Sequence, residues 1–127
     1  MKNRYLLDTH VFLWWMEKNP RLRKNIRDII SDVNSEIHFS TVNVWELVIK
    51  KQVRGLKLPR NWKKDLRKIG FTHLPITLEH VYSLETLSLI HGDPFDRLLI
   101  AQARAEKLKL VTADPKIWKY KVAIVKA

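Results

Sequence analysis

Apolar positions along this chain follow two rhythms that alternate from one end to the other. Short, nearly continuous apolar runs at Arg4–Leu7, Lys109–Thr112 and Val122–Val125 predict buried strands. Glu36–Ser40 alternates polar and apolar residues like another strand, and Phe71–Ile76 reads as a short extended segment that Pro75 restricts to a brief or edge strand. Between these runs the apolar spacing lengthens to that of helices. Val11–Met16 is the first, and Arg21–Asp32 follows with Ile26, Ile29, Ile30 and Val33 in one stripe. Thr41–Arg54 is stopped by Gly55, while Trp62, Leu66 and Ile69 line one face of a helix ended by Gly70. Thr77–Leu87 presents Leu78, Val81, Leu84 and Leu87, and Pro115–Tyr120 forms a helical turn. Alternating strands and helices, with no repeat or linker between them, predict an α/β fold: a central, mostly parallel sheet flanked by helices. A length of 127 residues at 46% hydrophobic composition fits one domain over 1–127.

The stretch from His91 to Lys107, HGDPFDRLLIAQARAEK, brings in chemistry. Asp93 is suited to cap a helix, Pro94 to its first position, and Asp96 falls before the apolar run Leu98–Ala101. Two carboxylates thus crowd a helix N-terminus whose aligned peptide dipoles favour negative charge. A capping role accounts for both, with Asp93 as N-cap and Asp96 as the acid of a capping box. Three further acids occupy comparable places. Asp8 follows the first strand and either caps the next helix or stands at the sheet's carboxyl edge, where ligands of parallel sheets bind. Asp114 follows a later strand in the same way. Glu46 lies among Val44, Trp45, Leu47, Val48 and Ile49 and needs a partner, either Asn43 through a capping box, Lys50 at i+4, or a functional one.

In a parallel sheet Asp8 and Asp114 share the edge that the helices carrying Glu46 and Asp96 leave, so all four are placed to converge. At ~5 to 6 Å each like-charge pair costs roughly 3 kcal/mol at an effective dielectric near 20, and the six pairs together well over ~10. Protonation or a bound cation must relieve this, and an all-oxygen set suits Mg²⁺ or Mn²⁺. Thr9, Ser40 and Thr112 lie nearby, as helix caps or as groups orienting the carboxylates.

Composition narrows the classes. With no cysteine there is no disulfide framework, thiolate nucleophile or Cys-type zinc site, and His10, His38, His73, His80 and His91 lack tight metal spacing. Lys plus Arg outnumber Asp plus Glu by 24 to 13, a net charge of +11, consistent with a polyanionic partner or with a solvated surface. Arg60, Lys63, Lys64, Arg67 and Lys68 cover one helix face in the same sense. Trp14 and Trp15 read as core and rim packing. No apolar run approaches the ~20 residues of a membrane span and no signal-peptide pattern opens the chain, so a cytoplasmic, membrane-free protein is expected. A divalent ion beside a basic surface suggests phosphodiester hydrolysis, the ion activating water and stabilising charge on phosphate and leaving oxygen. A catalytically inactive nucleic-acid-binding module is the alternative, although it has no need of four acids. A phosphoacceptor domain would require a Lys opposite one acceptor Asp, an arrangement the sequence does not assign.

The segments RYLLDTHVFLWW, STVNVWELVIKK followed by RGLKL, HGDPFDRLLIAQA and LVTADPKI, in that order and spacing, resemble PIN-domain proteins, specifically VapC-type toxins of prokaryotic toxin–antitoxin pairs. The resemblance spans most of the chain. It implies a PIN-like fold and a Mg²⁺- or Mn²⁺-dependent endoribonuclease acting on RNA, usually a homodimer, inhibited by a cognate antitoxin. It also implies that Asp8, Glu46, Asp96 and Asp114 form the catalytic, metal-binding set, Asp93 being an additional acid suited to N-capping.

Overall fold

A computed structural model describes residues 2–127. Strands β1 (Asn3–Leu7), β2 (Ser35–Ser40), β3 (Thr72–Leu74), β4 (Lys109–Thr112) and β5 (Ile124–Lys126) form one sheet in the order β3-β2-β1-β4-β5, and every neighbouring pair is parallel. The central strands carry apolar residues on both faces, so both must be covered. On one face α1 (Thr9–Glu17) and α2 (Lys24–Ser31) pack Phe12, Ile26 and Ile30 against Tyr5, Leu7 and Ile37. On the other, α6 (Pro94–Glu106) packs Leu99, Ile100 and Ala103 against Leu6 and Leu110. Helix α3 (Thr41–Arg54) contributes Val42 to one cluster and Leu47 to the other. The remaining helices, α4 (Trp62–Lys68) and α5 (Leu78–Ser83), follow β2–α3 and β3 in sequence. Chain order reverses beside β1, with β2 on one side and β4 on the other, so the crevice outside their carboxyl ends is the topological switch point.

The helix Thr41–Arg54 and its Gly55 stop are as the sequence predicts, Gly55 adopting φ 67°. Other boundaries shift for identifiable reasons. Val33 lies past the end of α2 and is 83% exposed, because the Asp32 carboxylate accepts from Asn34 N (2.8 Å) and turns the chain into β2. The segment Thr77–Leu87 divides into α5 and a 3₁₀ turn at Leu84–Thr86, leaving Leu78 65% exposed while Leu87 is buried. The inward position of α5 is taken by His80, whose Nδ1 accepts from Thr77 N (3.0 Å) and whose Nε2 meets Glu106 (2.9 Å). A buried polar anchor, in place of a leucine stripe, thus sets the helix's rotation. The helical turn after β4 contracts to Ile117–Lys119, and the last strand starts at Ile124 instead of Val122.

Asn43 stitches the sheet edge together. Its Oδ1 accepts from Ser40 N (2.7 Å), and its Nδ2 donates to Leu7 O and Thr9 Oγ1 (3.1 Å each), the residues flanking Asp8. Asn43→Ala removes a cap and leaves buried backbone groups unpaired, so it is expected to lower stability by roughly 2–4 kcal/mol in denaturant titrations. A loss under ~1 kcal/mol would show that the edge is held by other contacts.

Candidate metal centre

Asp8 continues from β1 by donating its N–H to Val111 O (3.0 Å), which sets it at the switch point. It also caps α1, one carboxylate oxygen accepting from Val11 N (2.8 Å). The capping and edge readings of Asp8 are therefore both satisfied at once. Burial pushes the Asp8 carboxyl above its ordinary range; hydrogen bonds from Thr112 and Val11 and the nearby His10 offset part of this, and the Glu46 charge adds to the rise.

Glu46 lies within the first two turns of α3 and is buried. The capping box of that helix joins Ser40 with Asn43, so Asn43 is not the partner of Glu46. Lys50 is: its Nζ lies 2.9 Å from Glu46 Oε2. The other oxygen, Oε1, is buried with no hydrogen-bond partner. Two contacts tie α3 to α6 beside these acids: Ser40 Oγ donates to Gln102 Oε1 (2.6 Å), and Trp45 meets Phe95 edge-to-face with centroids 4.9 Å apart. Each of those aromatics precedes an acid, so the pairing sets Glu46 and Asp96 on the walls of one cavity of about 400 Å³, shared with His10, Lys50, Arg54 and Asp93.

At the start of α6, Asp93 is the N-cap and Pro94 follows it, one Asp93 oxygen accepting from Phe95 N (2.8 Å) and Asp96 N (3.2 Å). The expected capping-box role of Asp96 is not realised, because the Asp93 N–H donates to His91 Nδ1 (3.2 Å) instead. Asp96 is free to face the other acids. Its pKa is pushed up to about 7, first by burial, then by the charges of Asp93 and Glu46, with His91 pulling the other way and Asp8 adding a smaller push.

Asp114 follows β4; one oxygen accepts from Lys116 N (2.9 Å) and the other lies 2.9 Å from His91 Nε2. The same Nε2 is 2.9 Å from Asp96 Oδ2. His91, Asp96 and Asp114 thus offer potential ligand atoms all within 4.8 Å of one another. Histidine spacing alone passes over His91, whose partner Asp114 is 23 residues away. The usable signal was its place at the head of HGDPFD, where a residue just before a helix cap faces the first turn.

The four acids named from sequence therefore gather around one edge: Asp8, Glu46 and Asp96 feel one another's charge, and Asp114 joins through His91. The residues fit a hard divalent cation. The donors are carboxylate oxygens without a thiolate, one buried oxygen lacks a partner, and burial, with neighbouring negative charge adding to it, raises two of the acids.

An acid whose folded pKa is raised binds more protons folded than unfolded, so stability falls as pH rises from its unfolded value near 3.8 through about 7 for Asp96. Melting temperature without divalent ions is expected to decline between about pH 4 and 7, and the decline to shrink in Asp96→Asn. A melting temperature rising across that window, with no difference between the proteins, would contradict a raised Asp96 carboxyl.

An all-parallel α/β sheet with acids clustered at its switch point defines the class of this protein as one with a metal-suited acidic edge. The sequence profile of the PIN domain family matches residues 5–123, and the chain belongs to that family. Among solved structures it is similar to VapBC2 from Rickettsia felis bound to a promoter DNA fragment, with TM-score 0.72 and 20% identity over 97% of this chain and 98% of that one. A toxin–antitoxin complex from Klebsiella pneumoniae gives 0.68 and 14% over 96% of both chains. DNA-bound VapBC from Salmonella typhimurium gives 0.66 and 14% over 99% and 98%. These likenesses confirm the fold. No curated protein matches the chain by sequence.

Proposed function

We propose that this PIN domain, one unit over residues 1–127, is a Mg²⁺- or Mn²⁺-dependent endoribonuclease and the toxin of a cytoplasmic toxin–antitoxin pair. The observation that carries the reading is the gathering of Asp8, Glu46, Asp96 and Asp114 at the switch point, with a buried Glu46 oxygen left unpartnered. Those four residues would hold the ion, which when bound supplies the charge that activates water and stabilises the scissile phosphate. The chain's own groups prepare that place. The Val11 N–H fixes Asp8, Lys50 fixes Glu46, and burial keeps both carboxylates out of bulk water. Lys50 and Arg54 on the cavity wall supply positive charge next to the acids, where a phosphodiester would otherwise be repelled.

RNA as substrate is supported by the net charge of +11 and by the exposed face of α4, where Lys63, Lys64, Arg67 and Lys68 face solvent. Binding of single-stranded RNA to a cleavage-dead variant is expected to weaken steeply with salt, log K falling about 0.7 per neutralised phosphate for each unit of log salt. Lys63→Glu with Arg67→Glu should flatten that slope; a salt-independent affinity would count against the basic surface.

An antitoxin partner is supported by the toxin–antitoxin complex among the structural neighbours and by an apolar groove of about 430 Å³ between α1 and α4, lined by Phe12, Trp14, Trp15, Trp62, Leu66 and Ile69. A homodimer is supported by Leu78, Val81 and Tyr82, exposed at helical spacing on α5. Among the described residues no helix is long and apolar enough to cross a membrane. The test is cleavage of single-stranded RNA with Mg²⁺, Mn²⁺ or EDTA: cleavage only with a divalent ion is expected, and cleavage that survives EDTA would overturn the proposal.

A further inference from the structure

His91 stands between two acids that come from different parts of the fold. Its Nε2 is 2.9 Å from Asp96 Oδ2 and 2.9 Å from Asp114 Oδ2. The ring's other nitrogen, Nδ1, accepts the Asp93 N–H at 3.2 Å. That acceptor role fixes the tautomer, because a nitrogen receiving an N–H carries the lone pair, and the ring proton then sits on Nε2. His91 is thus a donor to Asp114, with the Asp96 carboxylate at ion-pair distance from the same nitrogen. A histidine that ligates a metal through one nitrogen generally donates from the other to a carbonyl or carboxylate, and Nδ1 here meets a donor.

The loop that carries His91 is held independently of the acids. The Tyr120 hydroxyl oxygen accepts from Ile90 N (3.1 Å) and His91 N (2.8 Å), and Arg97 donates to Leu87 O (3.3 Å) and Ser88 O (2.8 Å). Asp114, by contrast, reaches the edge from the turn after β4 with its side chain 33% exposed. Its first oxygen is committed to Lys116 N within its own turn, so the second takes its direction from His91.

We propose that His91 is a positioning residue of the metal centre, whose Nε2–H draws Asp114 into register with Asp96 so that the two carboxylates present their oxygens to the same place. This rests on the reading of the four acids as a metal site. Without the donor, Asp114 is free to turn to solvent and the set falls to Asp8, Glu46 and Asp96. Loss of a group that orients ligands typically weakens metal affinity by 10- to 100-fold.

The experiment is a Mn²⁺ titration of the RNA-free protein, free Mn²⁺ being read by electron paramagnetic resonance, on wild type, His91→Leu, His91→Gln, Asp114→Asn and the His91→Leu/Asp114→Asn double variant. His91→Leu is expected to weaken Mn²⁺ binding about 10-fold or more, and His91→Gln, whose amide N–H replaces the donor, to recover most of that loss. In the Asp114→Asn background, His91→Leu should cost little further, since the residue acts through Asp114. Unchanged affinity in His91→Leu, or a full additive loss in the double variant, would overturn the proposal while leaving the metal site intact. Nitrogen hyperfine coupling to the bound Mn²⁺ that disappears in His91→Gln would overturn it too, by making the ring a ligand. Absence of Mn²⁺ binding in wild type would overturn the metal site itself.

Discussion

Asp96→Asn is expected to abolish RNA cleavage, lowering kcat/KM by about 10³-fold or more, which is ~4 kcal/mol of barrier, and to stabilise the metal-free protein at neutral pH. The two effects come from one cause. Asp96 starts α6 facing Glu46 and Asp8, with Asp93 behind it, and burial plus those charges raise its pKa to about 7. Ionising it in the folded protein therefore works against folding, and an amide of the same shape removes that cost, on the order of 2–4 kcal/mol above pH 7. The N-cap of α6 is Asp93, which the change leaves in place, so the fold stays intact, but an anionic ligand is gone. Asp8→Asn should behave alike, because its carboxyl is buried and raised too, while its amide oxygen continues to cap α1. Steady-state cleavage with Mn²⁺ and thermal melts in EDTA read both halves. Residual cleavage above about a tenth of wild type, or a less stable metal-free Asp96→Asn protein, would remove Asp96 from the centre.

Glu46→Gln carries the second largest effect and separates two accounts of one residue. The ion pair with Lys50 at 2.9 Å is present, so a structural role is real. Yet that pair engages only Oε2, which does not explain why the second oxygen is buried without a partner. An unsatisfied buried acceptor costs about 1–3 kcal/mol, and a cation supplied from solution would repay it. Glu46→Gln is therefore expected to match or exceed wild-type stability without metal, to lose most stabilisation by Mn²⁺, and to cut cleavage ~10²-fold or more. Asn43→Ala is the control, being destabilised with or without metal yet losing no ligand. A Glu46→Gln protein with full activity and wild-type Mn²⁺ stabilisation would leave Glu46 as an ion-pair acid only.

How legible the sequence was depends on the kind of force that fixes each feature. The β1–α1 and β4 segments, α3 with its Gly55 stop and α6 with Asp93 and Pro94 were readable because local chemistry, namely apolar runs and capping groups, decides them. The exposure of Leu78 and Val81 was not, because His80 and its long-range partner Glu106 decide how α5 sits. Val33 likewise continued a helical stripe on paper, while the Asp32 turn ended the helix before it. For the site, the positions of the four acids at strand ends and helix starts foretold their common edge, since parallel topology delivers all such places to one side. Their partners were less readable. Lys50 is one of the partners that spacing leaves open to Glu46, beside Asn43, whereas the His91 bridge joins groups 23 residues apart and depends on how the loop before α6 folds. Family resemblance named the acids but gave no role to that histidine.

The central claim is that Asp8, Glu46, Asp96 and Asp114 make one divalent metal centre. Anomalous diffraction from crystals soaked in Mn²⁺ tests it most directly, because it locates the ion without reference to activity. The account predicts a peak at the switch point between β1 and β4, with carboxylate oxygens of these acids roughly 2 to 2.5 Å from it. A peak elsewhere on the protein, or a Mn²⁺-saturated crystal with none beside Asp8 and Asp96, would contradict it.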